Sequence, residues 1–296
     1  MSHSVLRQIR QAIEQLNPND VREAAERPVV ICLHATSSEA YAAMEDFFAP
    51  ATVSRNKRYE LVNALHRAGD PGVPAKVDVA VYEPSLPVPA GAFVFDPPNL
   101  ARDVLAAKEE WGLPLARLFP PFRKQATDKI VFGVSKENAV FAVMTALPDL
   151  MPGVQIPWSV PEAFSDAAVL TVNQIRMAFL LAAASDRPVG YLEQKAEVAS
   201  IIAGALGWRA IARELVSKVP FGGGILPKAA IAFAGTYVEG LSLERLYRLG
   251  YGYTRAERKL AYGEALTHGR EVAREIWDSI KRRRGERLYK RAVIPG

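Results

Sequence analysis

The chain has one cysteine, Cys32, among 296 residues. No intramolecular disulfide can form, and a zinc cage built on several thiolates is excluded. Histidine is scarce too, and His3, His66 and His268 stand at no ligand spacing. No two carboxylates stand out as a catalytic pair, so no catalytic, metal or cofactor-binding residue is assigned. Long apolar runs are also missing. They are cut at Arg176, Glu197, Arg209, Lys228 and Glu239, short of the roughly 20 residues a membrane span requires. The opening "MSHSVLRQIRQAIEQLNP" lacks the unbroken apolar core of a secretory signal, which makes cytoplasm the expected compartment. Val5, Leu6, Ile9, Ile13 and Leu16 instead form one helical stripe that Asn17-Pro18 stops.

A phosphate-binding loop is absent where an α/β protein would carry one. After the first apolar run the turn reads His34-Ala35-Thr36-Ser37-Ser38-Glu39, with neither glycine nor lysine. Glu39 would repel phosphate from the helix start, and Ser37 or Ser38 reads as an N-cap. Further on, "VPFGGGILPKAA" (219–230) imitates the spacing of such a loop but joins helix to helix, with Pro227 before Lys228. It reads as a hairpin turn, so Lys228 at a helix N-terminus needs solvent or a bonded partner. Cys32 and His34 share a strand face. A buried strand cysteine ordinarily packs as a small apolar residue.

What is present divides near residue 150. Runs 27–34, 76–84, 91–97 and 128–135 have strand length and composition, while 37–48, 99–111 and 136–147 read as helices. Such interleaving predicts a small, mostly parallel α/β sheet. Prolines at 148, 152, 157 and 161 mark a connector. Four helices then follow, which predicts a bundle. The first is capped by Ser159 and Glu162, the second spans roughly 190–217, the third 228–248, and the fourth starts at a Thr254/Glu257 capping box. The fourth has a seam of Tyr262, Leu266, Gly269, Ala273, Ile276 and Ile280, and small residues (Ala203, Gly204 and Gly207; Ala230, Ala234 and Gly235) crowd the second and third. The expected organisation is a helical arm (1–26), an α/β domain (27–150), a connector (151–160) and a helical domain with a long basic last helix (161–296).

Charge is uneven. From Thr254 onward twelve Lys and Arg face six acids, while the preceding 253 residues carry −1 of the total +5. Lys281, Arg282, Arg283, Arg284 and Arg287 form a candidate basic surface for acidic lipid or nucleic acid; a solvated helix end explains them equally. Asn173, Gln174 and Arg176 interrupt the most apolar helix and require buried partners, either a structural network or a ligand site. Arg209 and Arg213, one turn apart beside Glu214, suit an anion or surface pairing.

These helices resemble the YcjF-like domain of unknown function 697 over roughly 168–247. The matching positions are Asn173, Gln174, Arg176 and Met177; Arg209 to Leu215; then Pro220, Gly224, Lys228, Ile231, Ala232, Ala234, Gly235 and Thr236. The resemblance implies a helical domain of the kind often C-terminal to Era-like GTPase domains, with several members membrane-associated. Residues 27–150 would then occupy the place of a G domain. They carry no Gly-x-x-x-x-Gly-Lys-Ser/Thr, no Asp-x-x-Gly and no Asn-Lys-x-Asp at the expected strands. The expectation is a non-catalytic association protein acting on a protein partner, on itself or on an anionic membrane surface. An atypical nucleotide-binding switch and nucleic-acid binding through the last helix are the alternatives.

Overall fold

The computed structural model describes residues 3–146, 165–204 and 224–293. The connector 151–160, the Ser159/Glu162 cap, and Arg209, Arg213 and Glu214 lie outside the described residues. The architecture is a small parallel sheet with its helices, followed by a helical region that ends in a long helix. The chain forms two compact units. One gathers Pro18–Lys129 and Phe179–Glu193, the other Met1–Asn17, Ile130–Ala178 and Gln194–Gly296.

The sheet unit contains α2 (Pro18–Glu26), β1 (Ile31–His34), α3 (Ser38–Phe48), α4 (Arg55–Val62) and β2 (Leu65–Arg67), after α1 (His3–Glu14) of the other unit. β3 (Val79–Tyr82), β4 (Phe93–Val94), α5 (Leu100–Ala107) and α6 (Gly112–Leu118) complete it. Strand order is β2-β1-β3-β4, and every pairing is parallel. Ile31 and Leu33 of β1, registered on Val79 and Val81, are essentially inaccessible to solvent, and Cys32 between them is also buried. Both sheet faces are therefore covered, as parallel sheets require. Ser37 caps α3 by accepting from the Ala40 N–H, and Ser54 caps α4 by accepting from that of Lys57. Phe48 packs edge-on against Phe119 and stacks with Phe122, placing the aromatic core beneath α3.

One expected strand is a helix. Residues 128–135 lie inside α7 (Pro120–Ala146), which also absorbs the helix expected at 136–147. The run "DKIVFGVS" has strand-like composition, but the buried positions Thr127, Val131, Val134, Asn138 and Ala142 recur every three or four residues. That period puts them on one helical face, and packing of this face outweighs local β propensity.

The helical unit contains α1, much of α7 and of α8 (Asp166–Ala184), helical residues 195–204 (α9), α10 (Ile225–Leu249) and α11 (Arg255–Val293). Gly250 ends α10 in the left-handed conformation at φ 87°, with its N–H on the Leu246 carbonyl. Thr254 and Glu257 then form the capping box of α11. The Glu257 carboxylate accepts from the Thr254 N–H at 2.8 Å, and Thr254 Oγ1 accepts from the Glu257 N–H at 3.3 Å. The α10–α11 core contains Phe233, Val238, Tyr262, Leu266, Ala273 and Ile276, with Ile280 partly buried against it. Close approach here rests on Gly269, where an added Cβ would lie 2.7 Å from the Ala230 carbonyl oxygen. α8 has the length and composition to cross a membrane, with a mean hydropathy of 1.5, yet 67% of that apolar window is buried inside the protein.

Candidate functional site

Two polar networks stand out, one in each unit. In the helical unit α7, α8 and α10 bring Asn138, Asn173 and Thr236 together, all at 3% exposure or less. Asn173 Nδ2 donates to Asn138 Oδ1 at 2.8 Å, and Asn138 Nδ2 donates to Thr236 Oγ1 at 2.8 Å. Thr236 returns its own proton to the Ala232 carbonyl one turn earlier. Gln174 Nε2 reaches Thr236 Oγ1 at 3.3 Å, while Arg176 Nη1 donates to Asn173 Oδ1 and to Glu137 Oε2, each at 3.0 Å. Asn173, Gln174, Arg176 and Thr236 thus meet in one place. Sequence reasoning placed Glu137 and Asn138 in the helical run 136–147 but did not single them out, because the residues they bond lie 35 to 39 positions away. A helical period over 127–142 was the signal that could have found them.

Lys228 stands apart from that network in the same unit. Its ammonium donates to Asp166 Oδ2 at 2.6 Å and to Thr145 Oγ1 at 3.1 Å. This bonded carboxylate compensates a cation in the first turn of α10, which the helix dipole disfavours. In α11 Lys281 and Arg282 are exposed, and the Lys281 ammonium lies 5.2 Å from the Trp277 ring centre. The helical backbone carries on through Arg283, Arg284 and Arg287 to Val293.

In the sheet unit, the chain runs from β1 to β2 on one side and returns to β3 on the other. The carboxyl ends of β1 and β3 are therefore the topological switch point, where open α/β sheets bind ligands. Here the Thr36 N–H and hydroxyl both donate to Glu83 Oε2 at 2.8 Å, and His34 stacks on Tyr82 with centroids 4.1 Å apart. The Thr36 donors hold the Glu83 carboxyl below its usual range, so it stays ionised and occupies the N–H that would face a phosphate. Cys32 registers with His66, but burial first, and Asp70 second, push its thiol up and away from the thiolate form. It packs as a core residue.

The second network lies on α4, α6 and α7 around Asp186. α8 ends in a Schellman motif, with the Asp186 N–H on the Ala183 carbonyl and the Arg187 N–H on that of Ala182. Asp186 occupies the left-handed position at φ 57°, where glycine is the usual residue. Its carboxylate receives the buried Lys57 ammonium at 2.7 Å, and Arg123 and Arg117 lie at 3.6 and 3.9 Å. Glu60 also accepts from Lys57 at 3.0 Å. Desolvation lowers the Arg123 pKa from its ordinary value against the opposing pull of Asp186, and Arg123 also donates to the carbonyls of Ala116 and Arg117 at the end of α6. No sequence signal pointed to this cluster.

Among the described residues no group of His, Cys, Asp and Glu is arranged to hold a metal ion. Comparison with known proteins yields no match to a family model, a curated sequence or a solved structure.

Proposed function

We propose that the chain acts by association, its last helix docking on an anionic surface, in keeping with the YcjF-like resemblance of residues 168–247. The observation that carries this is the form of α11. Its buried seam runs from Tyr262 to Ile276, after which Lys281 and Arg282 turn to solvent and the helix continues through a run with four further Arg and one Lys. A helical arm of that charge gains roughly 1 kcal/mol per cation near an anionic bilayer. Trp277 at its base adds an amphipathic ring suited to the interface. A peripheral position on the cytoplasmic side of a membrane follows from this reading, with self-association or a protein partner recruited through the same helical unit without chemistry on a bound substrate.

The test is co-sedimentation with vesicles at low salt. Vesicles rich in phosphatidylserine should retain the protein, neutral phosphatidylcholine vesicles should not, and about 0.5 M salt should release it. Replacing Lys281, Arg282, Arg283, Arg284 and Arg287 with glutamine should abolish retention. Equal binding to both vesicle types, or none to either by a monomeric protein, overturns the proposal. Preferential binding of duplex DNA with a steep salt dependence would instead assign the helix to nucleic acid.

The nucleotide-switch reading draws on the all-parallel sheet and its switch point. Glu83 weighs against it, since its ionised carboxylate already fills the donor that a phosphate would need.

A further inference from the structure

We propose that the sheet unit binds a small oxyanion in the cleft beside Asp186, with Arg117 as the principal recognition group. The cleft is about 320 Å³, enough for a small metabolite, and Arg22, Arg117, Arg187, Glu26, Asp186 and Glu193 supply its charged lining. Independently of what α11 docks on, three observations point to an anion.

First, Arg117 lacks a hydrogen-bonded acceptor. Its guanidinium lies 3.8 Å from Glu60 and 3.9 Å from Asp186, beyond hydrogen-bonding reach of either, although its side chain is only 25% exposed. A guanidinium stays charged and presents five donors, and on the cleft wall those of Arg117 are open to an incoming acceptor. Second, the nearby acids are already engaged. Lys57 bonds to both Asp186 and Glu60, and Arg123 also faces Asp186, so two carboxylates serve three cations. The cluster therefore keeps a positive excess, which a bound anion would neutralise. Third, Asp186 takes the left-handed position of the Schellman motif that ends α8, which fixes it at the cleft wall. Glu26 and Glu193, on the cleft wall, repel a bare polyanion and favour a ligand that pairs its oxyanion with hydroxyl or ammonium donors.

A phosphoryl group and a carboxylate each offer the pair of oxygens that an arginine fork grips. Calorimetric titration of the full chain with inorganic phosphate, and separately with malonate, separates the two, with ionic strength held constant by chloride. Saturable binding of either supports the site, and the tighter ligand identifies the group. Arg117→Gln should weaken that binding about tenfold or more, the effect of removing a charge-assisted hydrogen bond. Arg117→Lys should recover only part of it, because the charge returns without the fork. If Arg117→Gln fails to fold, Arg22→Gln on the exposed face of α2 decides the matter with an expected loss of several-fold. No binding beyond that of chloride, or affinity unchanged in the folded variants, overturns the proposal.

Discussion

The two polar networks solve opposite problems. In the helical unit Asn138, Asn173 and Thr236 are neutral groups hidden from water, and each finds its partner within the network. In the sheet unit Lys57, Glu60, Arg117, Arg123 and Asp186 are charged, open to a cleft at Arg117 and Asp186, and contain one more cation than anion. That neutral core, tied at its edge to the part-exposed Arg176–Glu137 pair, fixes helix register and offers a ligand little. An open cluster with a surplus charge retains binding capacity at the expense of an unsatisfied guanidinium. The difference lies in what is left over once internal pairing is complete.

The comparison would break first at Asn138. Asn138→Ala strips the acceptor from Asn173 and the donor from Thr236 while leaving a small void between α7, α8 and α10. The expected destabilisation is about 3 kcal/mol, since a buried polar group left unpaired costs the larger share. A drop in urea midpoint at constant slope would show it, and added salt should not alter it. Asp186→Asn is the matching experiment in the charged cluster. Asparagine also tolerates the left-handed conformation, so the change isolates the charge. Lys57 keeps Glu60, and Asp186 is 28% exposed on its side chain, so about 2 kcal/mol is expected, less than for a fully buried pair. Unlike the first effect, this one should shrink as salt rises. The same variant should tighten oxyanion binding at Arg117, because a competing carboxylate is gone. A larger, salt-insensitive loss at Asp186 than at Asn138 would reverse the contrast.

How much of this was readable in the sequence follows from range. The Thr254/Glu257 box, the Ser37 cap and the seam from Tyr262 to Ile280 are set by residues within a few turns of one another, and all are found in place. Lys228 was expected to need a partner because helix electrostatics required one, but Asp166 lies 62 residues earlier and nothing local names it. Asn173, Gln174 and Arg176 announced a network by interrupting an apolar helix. Their partners Glu137 and Asn138 fall in the run 136–147 already read as a helix, but they lie 35 to 39 residues earlier and nothing local names them as partners. β2, three residues of Leu, His and Arg, has no strand composition at all and exists because β1 offers it a parallel edge. The cluster around Asp186 combines α4, α6, α7 and the end of α8, and no window of sequence contains it.

An exposed counterpart to both networks lies at the start of α11, where Arg245 Nη1 donates to Glu257 Oε1 at 2.7 Å while Thr254 occupies the other oxygen. The Arg245 bond first, and the Thr254 bonds second, pull the Glu257 carboxyl down to about 2. Because this folded value lies below the unfolded one near 4.3, Glu257 adds stability above that unfolded value and loses it as pH falls toward about 2. Glu257→Gln keeps an oxygen for the capping box but removes the charge. The stability difference between wild type and variant should be constant from pH 7 to about pH 5 and vanish on further acidification, as followed by thermal unfolding. It should be the smallest of the three effects, because solvent screens the pair, and salt should reduce it as it reduces that of Asp186. A difference that persists undiminished at pH 2 would mean that the side chain acts through its hydrogen-bonding shape, as Asn138 does, and would move Glu257 from the charged class to the neutral one.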